Sequence, residues 1–350
     1  MKTQTQRPAI HPDDSPCTRG TARAYSHRWM GMATLCLMAA LSSAAYAQSS
    51  GTAWPSKPVR FIVPFAAGSF TDTAARALGK ELTTRLGQPF VVENRTGVGG
   101  ILANDAVAKS AGDGYTLLFT DSSYGVSSAL YKKLPYDPLK DLAAVAQVAQ
   151  SPAVLVARTG LPAKGLNAIL ATARKDPQAL TFGSGGQGSS GHLAFEALLL
   201  QAGAKMTHIP YKGVSAAVMD VIGQRVDLAI GSVGSTRQFI EDGRVIGVAL
   251  TGPGRNPSLP QVPTFAEQGM RDYNVVYWFG VLGPARLPAA QQESIAKAIK
   301  TAMDAPELKQ LFERSGVALA YQNGPAFGSR IGNEIRMWTS VIEKANITAE

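Results

Sequence analysis

From Trp54 onward, short β-branched and aromatic runs alternate with Ala- and Leu-rich stretches whose apolar residues recur every three or four positions. That alternation leaves few architectures open. Strands that follow one another through helices pair in parallel, and both faces of such a sheet must be covered. Strands are predicted at 59–63, 90–93, 115–120, 153–157, 180–183, 206–209, 226–231 and 245–250, and helices at 71–86, 100–109, 166–174, 189–201, 215–222 and 235–242. The C-terminal part differs, with three helices at 291–303, 306–314 and 325–343, two of them opened by Pro near the first helical position. A chain of 350 residues has room for at least two cores. The predicted fold is therefore α/β with two lobes, each a mostly parallel sheet flanked by helices. Crossings near Gln150 and near Thr251, where a Pro- and Gly-rich stretch begins, give a first lobe of 48–150 plus 251–350 and an inserted second lobe of 151–250. Hinged pairs of this kind hold ligands between the lobes, at the C-terminal ends of strands.

The N-terminus reads as an export signal: Arg19, Arg23 and Arg28 precede the apolar run 29–41, and Ala45-Tyr46-Ala47 supplies the small-x-small pattern that a signal peptidase accepts. Residues 1–47 are thus predicted to be a cleaved signal peptide, with a periplasmic mature chain from Gln48. A membrane anchor is the alternative, but the run falls short of the roughly 18 to 20 apolar residues that a spanning helix needs. Both cysteines, Cys17 and Cys36, lie in the segment to be removed, which excludes disulfides, thiolate metal sites and a cysteine nucleophile. Leu35 stands where a lipoprotein signal wants a small residue before its cysteine. The formal charge of +9 falls to +6 when the five basic residues of the leader leave with Asp13 and Asp14. No basic run of five or more residues appears, so no nucleic-acid tract is expected, while a diffuse positive field favours anionic ligands.

Three loops after strands are candidate ligand contacts. The first, 64–72, includes Ala66, Ala67, Gly68, Ser69, Phe70, Thr71 and Asp72. Its small residues let backbone N–H groups approach a ligand, and Thr71 or Asp72 suits a helix N-terminus, where N–H groups and the helix dipole attract anions. A merely tight strand-to-helix turn is the other reading. The second loop runs through Ser184, Gly185, Gly186, Gln187, Gly188, Ser189 and Ser190 to His192 and holds more glycine and serine than a turn requires. It contains a formal Gly-x-Gly-x-x-Gly from Gly183 to Gly188, yet no acid stands roughly 20 residues on, where a ribose-binding carboxylate belongs. A nest of N–H groups and hydroxyls that binds an anion fits it better. The third loop, Thr120 to Tyr124, either lines the same cleft or caps a helix. His192 either touches ligand or serves structure.

The mature sequence has no nucleophile elbow, no phosphate-binding Lys loop and no zinc-protease helix, and its two histidines are His192 and His208. No enzyme activity, metal or cofactor is expected.

Many short segments, in order, resemble the Bug or TctC-like receptors of tripartite tricarboxylate transporters. They include Trp54-Pro55-x-Lys57-Pro58, Pro64-Phe65-Ala66-Ala67-Gly68, Val91-Val92-Glu93-Asn94-Arg95, Asp113-Gly114-Tyr115-Thr116, Tyr136-Asp137-Pro138, Gly191-His192-Leu193, His208-x-Pro210-Tyr211-Lys212-Gly213 and Leu259-Pro260-x-Val262-Pro263. The resemblance implies a two-lobed periplasmic-binding-protein fold, of the flytrap kind, that clamps a small carboxylate between the first and second loops. It also implies delivery to membrane permease subunits, by a receptor whose default state is a monomer. Two departures bear on the ligand. Ser69 and Phe70 stand where relatives commonly have Gly and Pro, and Phe70 either stacks on an aromatic ligand or packs into its lobe. Gly231-Ser232 stands where relatives often carry an acid, which favours a ligand without an amine. A sensory receptor for a membrane kinase and a periplasmic serine hydrolase are the competing readings.

Overall fold

The computed structural model describes residues 54–349; the predicted signal peptide lies outside them. Along the chain run β1 (Val59–Val63), α1 (Phe70–Leu86), β2 (Phe90–Asn94), α2 (Ile101–Ala108), β3 (Thr116–Asp121), α3 (Ser123–Leu130) and β4 (Leu142–Arg158). Next come α4 (Leu166–Lys175), β5 (Thr181–Ser184), α5 (Ser190–Ala202), β6 (Thr207–Pro210), α6 (Val214–Ile222), β7 (Leu228–Ser232), α7 (Val233–Glu241) and β8 (Val245–Leu250). The chain closes with β9 (Val276–Pro284), α8 (Ala289–Ala302), α9 (Pro306–Arg314), β10 (Ala318–Asn323) and α10 (Gly324–Lys344).

The strands pair in the order β2-β1-β3-β9-β4-β7-β5-β6, with β10 and β8 also on β4. Pairing is parallel where the sequence alternates strand and helix, in β2-β1-β3 and β7-β5-β6. It is antiparallel around β4 and β9, so each sheet is mixed rather than parallel throughout. The long β4 joins the two halves: residues 142–152 pair with β9, and residues 153–158 pair with β7 and β8.

Side-chain burial follows this division. Ile62, Leu118, Trp278, Leu282 and Phe327 share one core, while Leu155, Phe182, Leu193, Phe195 and Ile230 share another. Helix α10 straddles both, with Phe327, Ile331 and Ile335 on the first and Trp338, Val341 and Ile342 on the second. After β8 the chain stays on the second core through Phe265, Tyr273 and Val275, and it returns to the first sheet with β9.

Helix α3 was not marked by the sequence pattern, because three serines and Gly125 dilute its propensity. Burial of Tyr124, Val126 and Leu130 holds it in place. Likewise, the first half of β4 is alanine-rich, with Val145 and Val148 its only β-branched residues, too few to announce a strand.

Candidate ligand-binding cleft

The first loop is tied to itself. Ser69 caps α1 by accepting the Asp72 N–H, and the nearly inaccessible Asp72 carboxylate accepts from the Gly68 N–H at 2.9 Å, Asn94 Nδ2 at 2.8 Å and the Arg76 guanidinium at 2.9 Å. Burial pulls the Asp72 pKa up, but those donors together hold it below the ordinary value. An acid in the first turn also offsets the helix dipole that would draw an external anion. Phe70 packs edge-on against Phe279 at 4.9 Å and Phe312 at 5.5 Å. Ala66, Ala67 and Gly68 are exposed.

The second loop rests on a stack of rings instead. Ser189 caps α5 by accepting the His192 N–H, and His192 Nδ1 accepts the Gly188 N–H at 3.0 Å. That bond fixes the neutral His192 tautomer with its proton on Nε2. The His192 ring lies on His208 at 3.8 Å, His208 lies 4.8 Å from Phe182, and Phe182 stacks on Phe195 at 4.0 Å. Burial pushes both imidazoles down to about 4, His208 adding to the effect on His192. Ser184 Oγ accepts the Gly186 N–H and bonds His208 Nε2 at 2.7 Å. Gly188 takes a positive φ of 68°, and a Cβ there would meet the end of the Leu130 side chain at 2.4 Å, so this turn favours glycine.

Beside the second loop opens a cavity of about 350 Å³. Its wall takes residues from four helix N-termini: Ser122 and Ser123 at α3, Ser189, Ser190 and Gly191 at α5, Gly213 and Val214 at α6, and Ser232 at α7. None of α5, α6 and α7 has an acid in its first turn, and α6 begins at Gly213 with no side-chain cap. Helix starts leave N–H groups that the helix does not use, with the positive end of its dipole behind them. Phe65, Tyr277 and Phe279 give the cavity apolar faces.

No Lys, Arg or His lines this cavity, and its one carboxylate is Asp121, at the end of β3. Asp121 Oδ1 accepts the Ser123 N–H at 2.9 Å and Oδ2 accepts the Thr71 hydroxyl at 2.9 Å. Burial raises its pKa. The buried Glu334 carboxylate is lifted to about 7, mainly by burial, with the charge of Asp121 adding to the rise and Trp278, Arg330 and Trp338 opposing it.

Of the residues singled out in the sequence, the structure brings Gly185, Ser189 and Ser190 to the cavity wall. Ser184, Gly188 and His192 lie buried beneath that loop, Gly186 is partly buried, and Gln187 is exposed. Thr120 is buried in β3 opposite Gly280. Residues 66–72 do not line the cavity, although Phe65 does, and Phe70 and Thr71 act one step behind it through Phe279 and Asp121. Gly213, Val214, Ile230, Tyr277 and Phe279 were missed. A signal for Gly213 existed, since a glycine just before a predicted helix marks an uncapped N-terminus. Tyr277 and Phe279 had one too, since Val275-Val276-Tyr277-Trp278-Phe279 is a run of β-branched and aromatic residues that marks a strand.

The family model described as the tripartite tricarboxylate transporter family receptor matches residues 74–347. The chain belongs to this family. Among relatives of this receptor, protein BugT of Bordetella pertussis is 34% identical over 297 residues, covering 84% of this chain and 91% of BugT. Among solved structures, MatC of Rhodopseudomonas palustris with bound malate is 28% identical with a TM-score of 0.69, covering 83% of this chain and 100% of MatC. A second R. palustris protein, solved with adipate, is 29% identical with a TM-score of 0.71, covering 84% of this chain and 99% of that one. The fold is that of periplasmic binding proteins, as in BugD, 28% identical with a TM-score of 0.69, covering 85% of this chain and 100% of BugD.

Proposed function

We propose that this receptor captures a small carboxylate in the cleft and delivers it, chemically unchanged, to membrane permease subunits of a tripartite tricarboxylate-type transporter. The observation that carries the proposal is the cavity wall itself: four helix N-termini with serine or glycine caps, no first-turn acid on any of them, and no basic side chain. Backbone N–H groups and hydroxyls in that arrangement suit an anion and exclude little else about its shape. MatC and its R. palustris counterpart were solved with malate and adipate, both small dicarboxylates.

The lobes are 48–150 with 251–350, and 151–250, and their hinge is the passage of β4 between the sheets together with the return from β8 to β9. Closure brings the exposed Ala66 and Ala67 of the first loop down over ligand already held by Gly185, Ser189 and Ser190, with the Gly68 N–H kept by Asp72. Residues 1–47 direct export to the periplasm and are removed, and the mature receptor acts as a monomer. A kinase-coupled sensor would capture ligand in the same way; a neighbouring pair of permease genes would favour transport.

The hydrolase reading loses support in the geometry. Ser189 Oγ serves as a helix cap, and His192 Nδ1 is taken by Gly188. The one Ser–His side-chain pair bonded to each other among the described residues, Ser184 and His208, involves a fully buried serine and an imidazole held at about 4, a poor base.

Thermal unfolding of the chain from Gln48, with dicarboxylates, tricarboxylates, aromatic acids, acidic amino acids and neutral sugars, tests the proposal. A ligand at a hundred times its dissociation constant adds about 2.7 kcal/mol. Carboxylates are expected to stabilise, and recovered ligand to be unaltered. Stabilisation by sugars alone, or turnover of the ligand, would overturn the reading.

A further inference from the structure

A carboxylate in the wall of a cleft that takes anions is unfavourable unless the ligand makes use of it. Asp121 is such a group: partly exposed at the cavity, with no cation among the lining residues to neutralise it. It is held in place from both sides, since one oxygen accepts the Ser123 N–H and the other the Thr71 hydroxyl. A carboxylate offers about four acceptor positions, so these bonds, with a further one from the Ser123 hydroxyl, fix its direction and leave about one position open. At the end of β7, also on the cavity wall, Gly231 and Ser232 supply no competing charge. A Cβ on Gly231 would meet Ser235 Oγ at 2.7 Å, so this position packs closely against the start of α7.

Resting on the reading of the cleft as a carboxylate site, we propose that Asp121 accepts a hydrogen bond from a hydroxyl or ammonium group of the ligand. Asp121 is then a specificity-determining residue. The receptor selects acids that carry such a donor over the unsubstituted acid of the same skeleton. Helix N-termini hold the ligand carboxylate, and Asp121 reads the donor. On this proposal the acid missing after β7 is supplied from β3, so an amine-bearing ligand fits as well as a hydroxy acid, against the expectation drawn from Gly231-Ser232.

Three matched sets of probes test the proposal by calorimetry on the mature chain: succinate, malate and aspartate; glutarate, 2-hydroxyglutarate and glutamate; 3-phenylpropionate, 3-phenyllactate and phenylalanine. In the skeleton that binds, the hydroxy or amino member is expected to bind about 10- to 100-fold more tightly than the unsubstituted acid. Asp121→Asn should erase most of that advantage for an ammonium ligand, cost a hydroxyl ligand only a few-fold, and leave the unsubstituted acid bound equally or better. Equal binding of the unsubstituted acid to the wild type, or an advantage that survives Asp121→Asn, overturns the proposal while the carboxylate reading stands. If no acid in any set binds, the carboxylate reading falls and the proposal falls with it. Should Asp121→Asn fail to fold, the wild-type comparison within each skeleton decides alone.

Discussion

The two glycine loops look alike in sequence, each leaving a strand and entering a helix through small residues and a capping serine, yet the structure uses them in opposite ways. In the first, the helix supplies its own anion: Asp72 occupies the Gly68 N–H and offsets the dipole of α1. In the second, a neutral imidazole does the holding, so the loop is ordered without any negative charge at the start of α5. A helix N-terminus attracts an external anion only when the protein has not already provided one. Residue type and spacing around the turn do not reveal this, because it depends on where one carboxylate four residues on is pointing.

The sharpest way to break the comparison is through its glycines. Gly188→Ala meets both a positive φ and a Leu130 contact of 2.4 Å, and should cost about 3 kcal/mol in denaturant unfolding. Gly68→Ala meets a positive φ of 83° but open space, and should cost about 1 kcal/mol. Equal losses would mean that the second loop is not packed as described.

Acid sharpens it further. His192 and His208 are held at about 4, below their ordinary 6.5, so the folded state is fully favoured above pH 6.5 and loses stability as pH falls toward 4. Asp72 lies below its ordinary 3.8, so its contribution persists above that pH and is lost only as pH falls further. The second loop should therefore loosen first, by on the order of 3 kcal/mol for each imidazole. Glu334 works the other way, its contribution present below 4.5 and lost as pH rises through about 7. Comparing wild type with His208→Phe in urea from pH 7 to 4 isolates the imidazoles; parallel curves would contradict their role.

Much of the fold was legible. Period-three-and-four helices and β-branched strands appear within a few residues of their predicted places, since local propensity and burial agree there. What escaped through their disagreement is the alanine-rich first half of β4 and the serine-rich α3; β9 does carry a strand signal in Val276-Tyr277-Trp278-Phe279, with Gly280 required because a Cβ would meet the Phe327 ring at 2.5 Å. The second loop was legible as a site because glycine and serine exceeded the needs of a turn. Phe70, with edge-on partners 209 and 242 residues away at Phe279 and Phe312, was not, because no local pattern reports contacts across that distance.

The smallest effects come from the caps. Ser69→Ala and Ser189→Ala should each cost about 1 kcal/mol of stability. Carboxylate affinity should fall roughly 10-fold for Ser189→Ala, which lines the cavity, and stay within about 2-fold for Ser69→Ala. Equal losses of affinity in titration calorimetry would put both loops on the ligand in the open receptor.

Amide chemical shifts of the ¹⁵N-labelled mature chain, followed while a bound carboxylate is titrated in, test the central claim most directly. The account predicts the largest changes at Ser190, Gly191, Val214 and Val233, in the first turns of α5, α6 and α7, with Gly68 nearly unmoved behind Asp72. Large shifts at Gly68 and Thr71 with none at the three helix starts would show that the anion is held by the wrong loop for this account.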